Sequence, residues 1–137
     1  MIDLRLENGS TLRCEVADTF GTRLLGLMGR PSPPPGRAML FAPGGSIHTA
    51  LMRFPIDVAF VAEGGTVLRV AERVPSWRFR RAPRRTRFVV EVASGADRGT
   101  FAPGSRLEPV GQAWPARRRL AAPGRRRNQE GVAQSTK

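Results

Sequence analysis

Residues 47–60 read IHTALMRFPIDVAF, and this stretch decides how the middle of the chain folds. Its apolar residues predict two strands, at 46–52 and 56–62, separated by Arg53-Phe54-Pro55. Proline has no backbone N–H to donate to a sheet ladder, so Pro55 belongs at a strand start or at a bulge. Polar groups interrupt the apolar run here, which makes the stretch the first place to look for a site.

Further strands are predicted on both sides of this stretch. Alternating apolar residues predict strands at 2–7 and 10–16, joined by an Asn8-Gly9 hairpin turn in which both residues take positive φ. After the Glu63-Gly64-Gly65 turn, a strand at 67–70 is predicted to pair back on 56–62. The remaining predicted strands are 38–42, 88–92 and 106–110.

One short helix is predicted at 19–28, where Asp18 can cap the first turn and Gly29 can end the last. The proline-rich run at 31–36 then forbids regular structure. Short strands, tight turns and a single helix predict an all-β fold. We expect a compact antiparallel jelly-roll-like sandwich or partly open barrel with one short helix.

The charge is unusual in both size and kind. The 137 residues carry a net charge of +12, and all but one of the 23 basic residues are arginine. Residues 111–137 hold seven basic residues and one acid among Pro, Gly, Gln and Ser, a composition that predicts a basic disordered tail after a single β domain at 1–110. The arginines are explained either by compositional drift onto a solvated surface or by contact with anions or nucleic acid.

Several classes of site are disfavoured by composition. The chain has one cysteine, Cys14, and one histidine, His48, so disulfides, cysteine-rich zinc sites and Cys-x-x-Cys redox pairs are not expected. No metal and no cofactor is expected, and no nucleotide-binding pattern is present. The first residues show no signal peptide and no apolar run reaches the length of a membrane span, which favours a cytoplasmic protein.

Three segments carry a family resemblance. They are Arg23-x-x-Gly26-Leu27-Met28-x-Arg30, then Met39-Leu40-Phe41, then His48-Thr49-x-x-Met52-Arg53-Phe54-Pro55-Ile56-Asp57-Val58-x-Phe60. In this order the chain resembles the bacterial and archaeal domain of unknown function 192 family over roughly residues 10–110. The resemblance implies a compact jelly-roll-like β structure and no established activity. Many members carry Gly-Asp near the last strand; Gly104-Ser105 stands here, so no carboxylate role exists at that position.

His48, Arg53 and Asp57 form the first candidate site, with Arg23 as a further ligand-binding residue. If the strands at 46–52 and 56–62 are neighbours, His48 approaches Asp57, and the pair resembles a base and its orienting acid. Three interpretations stay open: structural support, a ligand site, or a minor hydrolase-like activity centred on His48 and Asp57. No nucleophile at a telling spacing completes a catalytic set, so no catalytic residue is assigned.

The structural interpretation of these residues has its own physical basis. An aspartate beside a strand start readily accepts backbone N–H groups at a bend. Arg23 is expected to pair with Asp57 or Glu91, and all three ionisable groups are expected to be buried. Removing one member of such a pair would leave its mate desolvated.

The second candidate site is the arginine-rich segment 73–87, in which aromatic residues alternate with arginines. Guanidinium groups suit phosphate and aromatic ring faces suit bases, so the segment predicts weak contact with nucleic acid or another polyanion. The residues expected to make it are Trp77, Arg78, Arg80, Arg81, Arg84 and Arg85. The main functional interpretation is a small non-enzymatic accessory or ligand-binding β domain, with an unknown ligand or protein as partner.

Overall fold

The computed structural model of the chain describes residues 1–17, 37–50, 52–94 and 101–116. These residues form nine strands and contain no helix. The strands are β1 Ile2–Arg5, β2 Thr11–Ala17, β3 Arg37–Phe41, β4 Ile47–His48, β5 Ile56–Ala62, β6 Val67–Val74, β7 Phe79–Arg80, β8 Thr86–Ala93 and β9 Glu108–Pro109. The helix predicted at 19–28, and Arg23 within it, lie outside the described residues. The all-β class is confirmed.

Seven of these strands form one curled sheet, in the order β6-β5-β8-β3-β2-β1-β9, and β4 pairs with β7 in a small second sheet. Every pair in the large sheet is antiparallel except β2 with β3, which runs parallel. The parallel pair differs from the all-antiparallel expectation. Hydrophobic alternation reports which residues share a face, but it carries no information on the direction of a neighbouring strand.

The two edges of the large sheet approach each other. Just before β9, Leu107 donates its N–H to the Gly65 carbonyl at 2.9 Å, and the N–H of Val67 at the start of β6 donates to the Ser105 carbonyl at 2.8 Å. An isolated bridge between Thr66 and Arg106 lies between these two bonds. The accumulated strand twist therefore closes the sheet partway into a barrel, which confirms the partly open barrel.

The inside of the curl is the main hydrophobic core. It includes Leu4, Leu12, Leu40, Val61, Val67, Phe88, Val90 and Leu107. A second cluster lies on the outer face, where Ile47, Met52 and Phe54 cover apolar residues of β3, β5 and β8. Strand β5 is consequently buried on both faces, which explains why it reads as a nearly continuous apolar run.

The first hairpin forms where it was predicted, with a different turn. The Gly9 N–H donates to the Leu6 carbonyl at 2.9 Å, and Gly9 has φ of 85°. Asn8 is not among the residues with positive φ, so the prediction that both turn residues are left-handed is wrong. The loop has three residues, a tight turn followed by a left-handed glycine, which serves the strand twist equally well.

The strand predicted at 46–52 is also shorter than expected, and it belongs to the small second sheet. It extends only over Ile47–His48 and pairs with β7, whereas β5 pairs with β6 and β8. The predicted adjacency of 46–52 and 56–62 is therefore wrong. The chain turns after His48, where the Met52 N–H donates to the Thr49 carbonyl at 3.2 Å, and this turn ends the strand.

Candidate functional site

Thr49 joins the segment around β4 to the loop before β7. Its side chain is fully buried, and its hydroxyl donates to the Pro75 carbonyl at 2.6 Å while accepting the Arg78 N–H at 2.9 Å. Its backbone adds two bonds, from Thr49 N–H to the Arg78 carbonyl at 2.9 Å and from Trp77 N–H to the Thr49 carbonyl at 3.1 Å. Ser76 donates its hydroxyl to the Met52 carbonyl beside them. The loop is thus fixed to the fold by a threonine that the sequence analysis did not single out.

Two aromatic side chains project from this fixed loop into solvent. Trp77 is 66% exposed and Phe79 is 64% exposed, two of only four large apolar side chains that are exposed in the described part. Ile47 faces the core, and the register pairs His48 directly with Phe79, so these two side chains stand together on the solvent face of the small sheet. Trp77 has φ of 61°, a left-handed conformation that is uncommon for a bulky residue and concentrates at functional positions.

Five arginines lie close in sequence to these rings, and none of the described carboxylates pairs with them. Arg78 and Arg80 each donate from Nη1 to the carbonyl of the preceding residue, at 3.3 and 3.0 Å. Arg81, Arg84 and Arg85 are exposed. Within residues 1–17, 37–50, 52–94 and 101–116, none of these five makes an ion pair. We call Trp77, Phe79 and these five arginines the arginine-aromatic surface.

Asp57 accepts hydrogen bonds from β6 and from the residue that follows β8. Its Oδ1 accepts the Arg73 N–H at 2.8 Å and the Ser94 hydroxyl at 2.6 Å. It lies in a register shift between Ile56 and Val58, where the ladder to β6 is interrupted. A carboxylate oxygen here replaces a missing ladder acceptor, since Arg73 N–H would otherwise lack one.

The structure separates the members of the first candidate site. His48 lies on the small sheet and Asp57 on β5, and no hydrogen bond or ion pair joins them. Arg53 is exposed and makes neither kind of contact with the rest of the described chain. Arg23 lies outside the residues that can be placed. What the geometry brings together instead is His48 with Phe79, on the solvent face of the small sheet.

We expect Asp57→Ala to lower the free energy of unfolding by about 2 kcal/mol, because two donors lose their acceptor and one of them is a backbone N–H. Asp57→Asn is the matched control: it keeps an oxygen at Oδ1 and should recover most of the loss. Urea unfolding of both variants measures the difference. An Asp57→Ala protein as stable as the wild type would remove the structural interpretation and return Asp57 to the ligand-binding set.

Glu91 is the most deeply buried carboxyl group described. It lies on β8 between Met39 of β3 and Val58 of β5, and 7% of it is exposed. Burial raises its pKa from 4.5 to about 7. Its expected burial is confirmed, and among the residues that are placed its carboxylate has no hydrogen-bond partner.

Two kinds of feature are absent from the described ranges. No group of three or more His, Cys, Asp and Glu side chains is arranged to hold a metal ion there. No helix in the same ranges is long and apolar enough to span a membrane.

The chain is similar to one protein family and to two solved structures. Residues 4–109 match the domain of unknown function 192 family, described as "Uncharacterized ACR". A crystal structure of a "putative transcription regulator" from Sinorhizobium meliloti 1021 aligns with a TM-score of 0.70 and 27% identity, covering 81% of this chain and 95% of that chain. A protein of unknown function from Novosphingobium aromaticivorans DSM 12444 aligns with a TM-score of 0.67 and 24% identity, covering 78% and 82%. No curated protein shows significant similarity to the chain.

Proposed function

Because the chain belongs to the domain of unknown function 192 family, whose description names no activity, we propose its function from the site itself: a non-enzymatic β domain that binds single-stranded nucleic acid through the arginine-aromatic surface. One observation carries the proposal. Trp77 and Phe79 are both about two-thirds exposed, on a loop that Thr49 fixes to the fold, among arginines that no described carboxylate neutralises.

Exposed aromatic rings in this setting favour bases as the contacting group. An exposed tryptophan leaves a large apolar surface in water, and stacking a base on it removes that surface from water without requiring a particular base. Arginines beside the ring supply the phosphate contacts that fix the strand. Both halves of a nucleotide therefore find a matching group within Trp77, Phe79 and the neighbouring guanidinium groups.

The geometry favours single strands over duplex. Bases in a duplex already stack on one another, so an exposed ring gains nothing from them unless they are splayed out. Reading a duplex through the major groove usually takes a helix or a two-stranded ribbon, and β4 and β7 contribute only two residues each. The structure from Sinorhizobium meliloti is described as that of a "putative transcription regulator", a description that supports contact with nucleic acid.

We expect a fluorescein-labelled oligothymidine to bind at low salt and to dissociate as salt rises. The logarithm of the affinity should fall by about 0.7 per logarithm of salt for each phosphate contacted on a single strand. Trp77→Ala should weaken binding by roughly ten- to a hundredfold through lost stacking, with little change in the salt slope. Arg81→Gln with Arg84→Gln should reduce the slope instead. Fluorescence anisotropy measures both quantities.

The control variant has the same net charge as the arginine double variant, but its two substitutions lie outside the arginine-aromatic surface. Arg5→Gln with Arg69→Gln removes two exposed arginines from β1 and β6. This variant should bind the oligonucleotide almost as well as the wild type. Equal weakening by both double variants, together with an unaffected Trp77→Ala protein, would show only generic attraction to a chain of charge +12 and would refute the proposal.

The domain boundary is part of the same proposal. We infer a single β domain at about 1–110 followed by a basic tail, and we expect the tail to add non-specific attraction to the same polyanion. Residues 111–116 belong to that segment by composition, yet Trp114 stacks on Phe88 of β8 with ring centroids 4.5 Å apart. This contact ties Trp114 to the β domain, a few residues beyond the boundary inferred from composition.

A further inference from the structure

A pocket apart from the arginine-aromatic surface lies near the closed edge of the barrel. It is an open cleft of about 490 Å³, within the size range of small-molecule sites. One wall comes from the turn after β5 and from the start of β8, and the other from the segment that follows β9. Its lining residues are Glu63, Gly64, Arg87, Phe88 and 113–116.

The walls of this pocket are largely apolar and flat. Phe88 and Trp114 stack with ring planes 17° apart, and Pro115 continues the Trp114 side. The guanidinium carbon of Arg87 lies 5.2 Å from the centre of the Phe88 ring. A planar molecule with an apolar body would extend this arrangement of rings, because offset stacking is the favoured geometry between aromatic groups.

Among the described lining residues the cation is Arg87, and one of its nitrogen atoms lacks a partner. Nη1 of Arg87 is buried and has no hydrogen-bond partner, and no other side-chain contact of Arg87 to a polar group is found among the residues described. Buried donors in native proteins are nearly always paired, with protein, water or ligand, so an unpaired charged donor requires an acceptor. The guanidinium fork matches a carboxylate with two parallel bonds.

Glu63 limits the negative charge that a ligand of this pocket can carry. It is exposed and stands in the same lining as Arg87, so the charges of the described lining side chains sum to zero. A dianion such as a phosphate monoester would face the Glu63 carboxylate, whereas a singly charged carboxylate would be repelled less. From these observations we propose that the pocket binds a small aromatic monocarboxylate, with Arg87 as its carboxylate-binding residue and the half-buried Trp114 ring, backed by Phe88, as its stacking surface.

The wall formed by 113–116 can adjust to such a molecule. These residues make no backbone hydrogen bond to the rest of the described chain; the last ones before them are Val110 N–H to the Asp3 carbonyl and the Gln112 side chain to the Met1 carbonyl. Ring stacking by Trp114 is what holds the wall in place. Segments with few hydrogen bonds open at low free-energy cost, which gives the ligand a route to the buried Nη1.

The test is a titration of the whole chain with sodium 2-naphthoate, followed by proton–nitrogen NMR spectra. We expect the amides of Gly64, Phe88 and Trp114, and the Trp114 indole N–H, to shift together and to saturate. The neutral isostere 2-naphthamide should bind about ten- to a hundredfold more weakly, because it cannot form a charge-assisted pair with Arg87. Equal binding of the acid and the amide would overturn the proposal, as would a tighter complex with naphthyl phosphate or no saturable shift at millimolar naphthoate.

Arg87→Met separates a binding role from a structural one. The variant keeps the apolar stem and removes the buried unpaired donor, so without naphthoate its melting temperature should equal or exceed that of the wild type. Its affinity for naphthoate should fall to that of the amide. Arg5→Met, which removes an exposed arginine of β1, should leave affinity unchanged. If Arg87→Met fails to fold, Arg87→Lys takes its place, because it keeps the charge but lacks the guanidinium fork; it should still weaken binding of naphthoate. Unchanged affinity for naphthoate in whichever Arg87 variant folds would refute the assignment.

Discussion

Replacing Gly65 with alanine should destabilise the domain by about 3 kcal/mol or more. Gly65 has φ of 95°, a conformation that residues with a side chain rarely adopt. An added Cβ would also collide with the Leu107 carbonyl oxygen and lie 3.2 Å from Cζ2 of Trp114. The substitution therefore pushes apart the two edges that close the barrel.

Gly64 offers a matched control one position earlier. It has nearly the same backbone conformation, with φ of 97°, but an added Cβ would meet nothing within 4 Å. Gly64→Ala should cost about 1 kcal/mol from backbone strain alone. Urea unfolding of the two variants isolates the cost of opening the closure. Equal losses from both would mean that the contact between Gly65 and Leu107 contributes little to the closed sheet.

Glu91→Gln should make stability much less dependent on pH and should stabilise the protein above neutrality. The folded-state pKa of Glu91, raised to about 7 by burial, exceeds its ordinary value of 4.5, so the folded protein holds this proton more tightly than the unfolded chain. Stability from this group is present in full below pH 4.5 and is lost as the pH rises through about 7. The full loss is about 3 kcal/mol in order of magnitude.

Unfolding free energies at pH 5 and pH 8 measure this effect, with Glu72→Gln as the control. Glu72 is exposed on β6 and should change stability little at either pH. The Glu91→Gln protein should match the wild type near pH 5 and exceed it at pH 8. If instead the wild type gains stability with rising pH relative to the variant, a cation must hold the carboxylate in its charged form, and Arg23 would be the first residue to examine.

The strands of the large sheet could be predicted wherever apolar residues alternate or run continuously. This holds for β1, β2, β3, β5 and β8, whose predicted positions agree closely with the structure. β7 could not be found in this way, because Phe79–Arg80 sits in an arginine-rich run with no apolar period. Its pairing with β4 depends instead on Thr49, whose buried hydroxyl acts on residues about 26 to 29 positions away. A single threonine gives no periodic signal, and only the His48-Thr49 part of the family resemblance pointed to it.

Of the two candidate sites, only the one built from residues close in sequence could be predicted. The exposed aromatics among arginines at 77–81 were visible in the sequence, since both residue types and their spacing are local. The pocket was not, because its walls come from β8 and from a segment more than twenty residues later. Trp114 stands among polar and small residues that predict a tail, and nothing in that composition reveals that its ring lies on Phe88.

The closure of the sheet by β9 also determines when folding can finish. This closure pairs Leu4 with Pro109 and Gly65 with Leu107, so the sheet is completed by hydrogen-bonded residues that are far apart along the chain. The entropy of closing such long loops is lost before their contacts form, which makes topologies of this kind slow to fold. Until those last pairs form, a growing or refolding chain exposes the outer edge of β6 as an unpaired strand. The stretch 104–109 then acts as an intramolecular gatekeeper, because it occupies the start of that edge before another molecule can pair with it.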